Sequence, residues 1–98
     1  MSERIDDLTI DWYDDNGVQV VREIKKEPLT RGAWTTILYA YQELNRETDE
    51  YGPIKFRVVR YQKRGGQFRP QSKFNISSTK QAAQIRDILD EWIAELGS

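Results

Sequence analysis

Between residues 51 and 86 the chain carries nine basic side chains and not one carboxylate: Lys55, Arg57, Arg60, Lys63, Arg64, Arg69, Lys73, Lys80 and Arg86. An aromatic ring, Tyr61, sits among them beside Lys63 and Arg69. Cationic side chains meet phosphates and rings meet unstacked bases, so this is the combination that a single-stranded nucleic acid asks of a surface. The flanks have the opposite sign. Residues 1–50 hold twelve acidic and six basic side chains, a balance of −6, and the last twelve residues add −4. The net charge of −1 therefore conceals a local positive face, while the acidic flanks argue against indiscriminate polyanion binding. The same pattern also suits a plain solvated strand face, with Tyr61 as a cross-strand packing residue and Arg60 and Lys63 serving solubility.

Other chemistry is sparse. With no histidine and no cysteine, the chain lacks imidazole and thiolate nucleophiles, disulfides and the usual zinc ligand sets, so we expect no metal, no cofactor and no catalysis. Gly65-Gly66 runs into Gln67-Phe68 rather than Lys-Ser, which is not a phosphate loop. Asp14, Asp15 and Asn16 have no glutamate at calcium-loop spacing and read as turn chemistry. No apolar stretch approaches the ~20 residues of a membrane span. Met1-Ser2-Glu3-Arg4 opens no signal peptide, so the expected location is the cytoplasm and Asn75-Ile76-Ser77 is an accidental sequon.

The elements that must position the basic block follow from periodicity. Ninety-eight residues with 38% hydrophobic side chains and eleven aromatics make one domain, residues 1–98, small enough that its stability leans on a partner copy. Leu8, Ile10 and Trp12 alternate with polar neighbours up to Asp15-Asn16-Gly17, after which Val18, Val20 and Ile24 share one parity: a hairpin over 8–26. A three-residue loop ending at Gly17 pairs Trp12 with Val20 and Leu8 with Ile24. Residues 33–44 fit either a strand or a helical stripe of Trp34, Ile37, Leu38, Tyr41 and Leu44, with Thr35, Thr36, Ile37, Tyr39 and Tyr41 favouring the strand. Asn45 to Gly52 reads as a loop before Pro53. A second hairpin spans 54–76 around Arg64-Gly65-Gly66. A three-residue loop there pairs Phe56 with Phe74 and Val58 with Ser72, and collects Lys55, Arg57, Tyr61, Lys63, Arg69 and Lys73 on the opposite face. Pro70 puts the returning strand at an edge or turns its backbone nitrogen outward near the tip. Ser78, with Gln81 three places on, opens a helix over 79–96 whose apolar face is Ala82, Ile85, Leu89, Trp92, Ile93 and Leu96.

Three segments, Gly32-Ala33-Trp34-Thr35-Thr36, Pro53-Ile54-Lys55-Phe56-Arg57-Val58 and Gln71-Ser72-Lys73-Phe74-Asn75-Ile76-Ser77-Ser78, come in an order and spacing that resembles the positive-cofactor-four-like (Whirly-like) transcriptional coactivators of the small bacterial type. The resemblance covers about residues 30–96 of the chain. It implies a curved antiparallel sheet plus one helix, acting as a symmetric dimer that binds single-stranded DNA on the sheet without cutting it. By position it makes Trp34 a base-stacking ring and Lys55 a backbone contact; Lys73 lies one place after the family's lysine.

The expectation is thus an α+β domain, a strongly bent antiparallel sheet of about five strands followed by one C-terminal helix. Its expected function is non-catalytic binding of single-stranded nucleic acid through Trp34, Lys55, Arg57, Tyr61, Lys63, Arg69 and Lys73. Trp92 is the residue expected to continue from the helix into a homodimer contact. The rival expectation is a protein-interaction module that uses a sheet edge or the Trp34, Tyr39 and Tyr41 patch. The residues do not distinguish DNA from RNA.

Overall fold

The computed structural model describes residues 4–97. After a short 3-10 turn at Ile5–Asp7 come strands β1 (Trp12–Tyr13), β2 (Gln19–Thr30), β3 (Trp34–Asn45), β4 (Glu50–Tyr51), β5 (Lys55–Arg64) and β6 (Gln67–Ile76), then helix α1 (Thr79–Leu96). All pairings are antiparallel, the main path runs β1-β2-β3-β5-β6, and β4 adds two residues to the far end of β3. The sheet curls into a half-barrel and the helix follows it, an α+β arrangement. Residues 34–45, open between strand and helix on sequence, form a central strand whose burial alternates with period two. Its β-branched and aromatic residues suit a pleated surface better than a helix.

One face of the sheet holds the core. Ile37 and Tyr39 of β3, Val59 and Tyr61 of β5 and Phe68 of β6 are buried there with Leu8, and Ile5 and Ile10 pack against them. These odd-numbered β5 residues are the parity that sequence periodicity assigned to the binding face. The even-numbered residues Phe56 and Val58 are only half-buried, and Phe74 is exposed. The inversion has a local cause. β3 turns Thr35, Ile37, Tyr39 and Tyr41 all to the odd side, and the N-terminal segment lies over that side as a cover.

Both hairpins depart from their expected registers through bulges. The first loop is the three-residue Asp15-Asn16-Gly17 turn: Asp14 N donates to Val18 O, and Gly17 has φ +81°. One residue further the register slips, so Trp12 pairs with Val21 rather than Val20. Leu8 does not pair with Ile24; it leaves the sheet and buries itself in the core, while Ile24 stays exposed. The second hairpin turns on two residues, Gly65 and Gly66, both at positive φ, not on three. That pairs Lys63 with Phe68 and Tyr61 with Pro70. An extra residue, Gln71, then restores even parity, giving Val59 with Lys73 and Phe56 with Ile76. Arg69 consequently pairs with Gln62 and faces away from Tyr61, a correction to the shared face, and Phe68 turns inward in its place. β6 is an edge strand, as Pro70 permits. The expected loop at residues 45–52 is in part a small hairpin, with Leu44 paired to Tyr51 and Asn45 to Glu50.

The helix begins where its cap predicts. Ser78 Oγ accepts from Gln81 N at 3.0 Å, and Gln81 Oε1 accepts from Ser77 N at 2.9 Å, satisfying two amide donors at the start of the helix. It touches β5 and β6 only lightly, with Ala82, Ala83 and Ile85 half-buried and no residue fully buried. The radius of gyration, 15.6 Å, exceeds the roughly 13 Å of a compact domain of this length, in keeping with an open sheet and a helix that packs on it only lightly.

Candidate nucleic-acid interface

Curling of the sheet leaves a trough of about 950 Å³ between the N-terminal segment with the β1–β2 hairpin on one side and the odd face of β5 and β6 on the other. Val59, Tyr61, Phe68 and Pro70 line it, Arg57 and Lys73 bring positive charge, and Trp12, 62% exposed, stands on the opposite wall. Arg57 and Lys73 share this side because Arg57 pairs with Asn75 and Val59 with Lys73, two adjacent same-face rungs of the ladder. Arg57 is held in place. Its Nε donates to Asn75 Oδ1 at 2.7 Å, and its guanidinium lies 4.6 Å from the centre of the Tyr41 ring. Asp7 and Asp11 are also in the lining, so the trough is mixed in charge at its N-terminal wall and positive at its β5–β6 wall.

That N-terminal wall is fixed by one lysine. Lys26 of β2 donates from Nζ to three backbone carbonyls, Ile5 O at 3.1 Å, Asp6 O at 2.9 Å and Leu8 O at 2.6 Å. Charge-assisted hydrogen bonds of this kind are the strong ones, and an ammonium has three donors, so the lysine is saturated by the segment it holds. Further along, Asp11 Oδ1 accepts from Glu23 N and Thr9 Oγ1 donates to Glu23 Oε1. Residues 5–11 are therefore tied down by side-chain contacts where no strand ladder holds them. Sequence reading missed Lys26 and Trp12 as parts of the site. Trp12 gave a signal, an aromatic beside a turn, but nothing in the spacing links Lys26 to carbonyls some twenty residues earlier.

The expected binding residues divide. Arg57 and Lys73 reach the trough, and Lys63 lies exposed near its end with its ammonium 5.4 Å from the Phe68 ring centre. Lys55 shares the odd side but is bonded to Glu43 Oε1 at 2.6 Å, and that bond holds its ammonium above its usual pKa. Tyr61 is 4% exposed and its hydroxyl shares a hydrogen bond with Tyr39 at 2.8 Å. Burial pushes both phenols up, with the mutual hydrogen bond adding to the shift of Tyr39. Tyr61 is thus a packing residue and not an accessible stacking ring. Trp34 and Arg69 lie on the even face, turned away from the trough. Thr35, in the Gly-x-Trp-Thr stretch, is fully buried; its hydroxyl accepts from Gly32 N and donates to Gly32 O, closing the β2–β3 turn. The turn acid Asp14 accepts from Val18 N and Asn16 N; the bond from Val18 does most to hold its carboxyl below the usual range, helped by Asn16 and by Arg46 at 2.7 Å.

Among the described residues no helix is long and apolar enough to cross a membrane, and no cluster of acidic side chains is arranged to hold a metal ion. A scan against family models gives no match to this chain, and searches of curated proteins and of solved structures give none either.

Proposed function

We propose that this protein binds single-stranded nucleic acid non-catalytically, DNA by preference on the family resemblance, along the β5–β6 wall of the trough. The observation that carries the reading is the placing of Arg57 and Lys73 on adjacent rungs above an apolar floor, with exposed Trp12 across the gap. Two cations at ladder spacing suit successive phosphates, and an exposed indole suits an unstacked base. An open trough walled on both sides fits one strand better than a duplex.

The test is a fluorescence-anisotropy titration with single-stranded and duplex oligonucleotides of the same sequence at several salt concentrations. The single strand binds and the duplex does not. Arg57→Ala with Lys73→Ala flattens the log–log salt slope by about 1.4 units, about 0.7 for each phosphate no longer neutralised. Trp12→Ala costs about 1–3 kcal/mol at every salt concentration, because stacking releases no counterions. Absence of single-strand binding at low salt leaves the second reading, a protein-interaction module. The expected Trp34, Tyr39 and Tyr41 patch does not exist for that reading, because Tyr39 and Tyr41 are buried on the odd face and Trp34 lies on the even one. The apolar side of α1 supports it instead, since Leu89, Trp92 and Ile93 are exposed, and an apolar interface responds little to salt.

The same exposed side supports a homodimer. The helix carries Lys80, Arg86 and Asp87 in its first half and Asp90, Glu91 and Glu95 in its second, a balance of +1 against −3. Two copies packed antiparallel about a two-fold axis place each half against its opposite charge and cover the Trp92 seam, as an isologous contact requires.

A further inference from the structure

The two-residue Gly65-Gly66 turn gives the tip of the second hairpin cations on both faces. On the even face Trp34 is opposite Gln62, Gln62 opposite Arg69, Thr36 opposite Arg60 and Arg64 opposite Gln67. Arg60 stacks its guanidinium 4.2 Å from the centre of the Trp34 ring, and Arg64 Nε donates to Gln62 Oε1 at 3.0 Å. Arg60, Arg64 and Arg69 are all exposed, and Trp34 is 42% exposed. Among the described residues none of these three arginines is bridged to a carboxylate, and the ladder rungs they occupy hold no acidic residue from β2 to β6. This is a second basic-aromatic surface, separated from the trough by the thickness of one sheet.

We infer that this outer patch is a second contact for the same single strand, which leaves the trough over the β6 edge and continues on the far face. The inference rests on the proposed binding reading and extends it. Three features favour a path over this edge. Among the described residues no further strand lies beside β6, so nothing in the described sheet stands in the way. The bulge at Gln71 interrupts the ladder between the Arg60–Ser72 and Tyr61–Pro70 pairs, between Lys73 and Arg69 along β6, and bulged edges bend. Pro70 at the same point has no amide to offer an added strand, so this edge is poorly suited to sheet extension by a protein. The patch supplies the same two elements as a single-strand site, guanidinium groups for phosphates and an exposed indole already paired with a guanidinium for a base. The trough then sets minimal binding, and the outer patch adds affinity only for strands long enough to turn the edge.

The experiment compares oligothymidylates of about four and about sixteen nucleotides, the span of single-strand site sizes on small sheet domains. For wild type, the long strand binds more tightly and with the steeper salt slope. The triple variant Arg60→Ala, Arg64→Ala, Arg69→Ala, with its fold checked by circular dichroism, binds the short strand as wild type does. For the long strand its slope flattens by about two units, at about 0.7 for each phosphate left without its cation. Trp34→Ala weakens the long strand by roughly tenfold and leaves the short one alone. Equal effects on both lengths, or none on the long strand, overturn the two-face path while leaving trough binding in place. Failure of wild type to bind either length removes the underlying reading and this inference with it.

Discussion

The hydroxyls of Tyr39 and Tyr61 meet at 2.8 Å on the buried side of the sheet, although their rings come from β3 and β5 ladder positions four residues apart. Each ring buries its apolar body in the core and gives its polar tip the other's oxygen, which is how a tyrosine is accommodated away from water. Tyr39→Phe leaves the Tyr61 hydroxyl buried without that partner and costs about 1–3 kcal/mol, as does Tyr61→Phe. The double variant removes both hydroxyls together and is less destabilised than the sum of the two single variants, with a coupling of about 0.5–2 kcal/mol. Urea denaturation of the four proteins measures the cycle, and simple additivity refutes the coupling.

The same pair sets an alkaline limit to stability. Burial raises both phenol pKa values in the folded chain, so as pH rises past about 10 the unfolded chain loses these protons first. The stabilisation is complete below the unfolded value and declines as pH rises above it. Lys55, raised by its bond to Glu43, pulls in the same direction to a lesser extent because it is partly exposed. Asp14 acts at the other end: its lowered pKa gives stability above about 4 that fades as the carboxyl protonates. Denaturation midpoints measured against pH therefore fall on the alkaline side, and Tyr39→Phe with Tyr61→Phe makes that fall shallower. An unchanged alkaline fall in the double variant contradicts the assignment.

Lys26 holds the N-terminal cover by three carbonyl bonds, and its removal should loosen that segment before anything else. Lys26→Met keeps the aliphatic stem and deletes the donors, at a cost of about 1.5–3 kcal/mol. Amides of residues 5–11 then become less protected from hydrogen exchange while those of β3, at the centre of the sheet, keep their protection. Uniform deprotection across the sheet shows instead that the cover and core open as one unit.

Strong periodic signals made much of this fold legible. The capping pair Ser78 and Gln81 with the helical stripe gave α1 its limits, and Gly17 and Pro70 gave the first loop and the sheet edge. What the residues hid was register. Alternation in β5 is apolar on even positions up to Val58 and on odd positions from Val59, so either face of that strand could have been the core. The choice is made by Leu8, Ile5 and Ile10, which cover the odd side from outside the sheet, a tertiary effect that strand alternation cannot carry. The two-residue Gly65-Gly66 turn put Arg69 on the face away from Arg57, and the bulge at Gln71 returned Lys73 to Arg57's face, so one expected basic face became two. The resemblance made Trp34 a base-stacking ring and set Lys73 one place after the family's lysine, and the ladder puts the two on opposite faces.

The unpacked helix supports the last prediction. α1 buries no residue, while Leu89, Trp92, Ile93 and Leu96 are each at least 48% exposed, a larger contiguous apolar stripe than an isolated monomer tends to keep in water. Sedimentation equilibrium should give twice the 11.6 kDa chain mass. Trp92→Asp places a carboxylate in the proposed seam beside the acidic second half of the helix and should give a monomer. Because Trp92 is 55% exposed in the chain alone, the variant keeps its β-sheet circular dichroism. High salt weakens the wild-type dimer only modestly, since the apolar seam dominates and the Lys80 and Arg86 pairings lie at its rim. A wild-type chain that sediments as a monomer at high concentration refutes the two-fold helix contact, and a Trp92→Asp protein that remains dimeric moves the interface elsewhere, with exposed Phe74 on the even face the next residue to test.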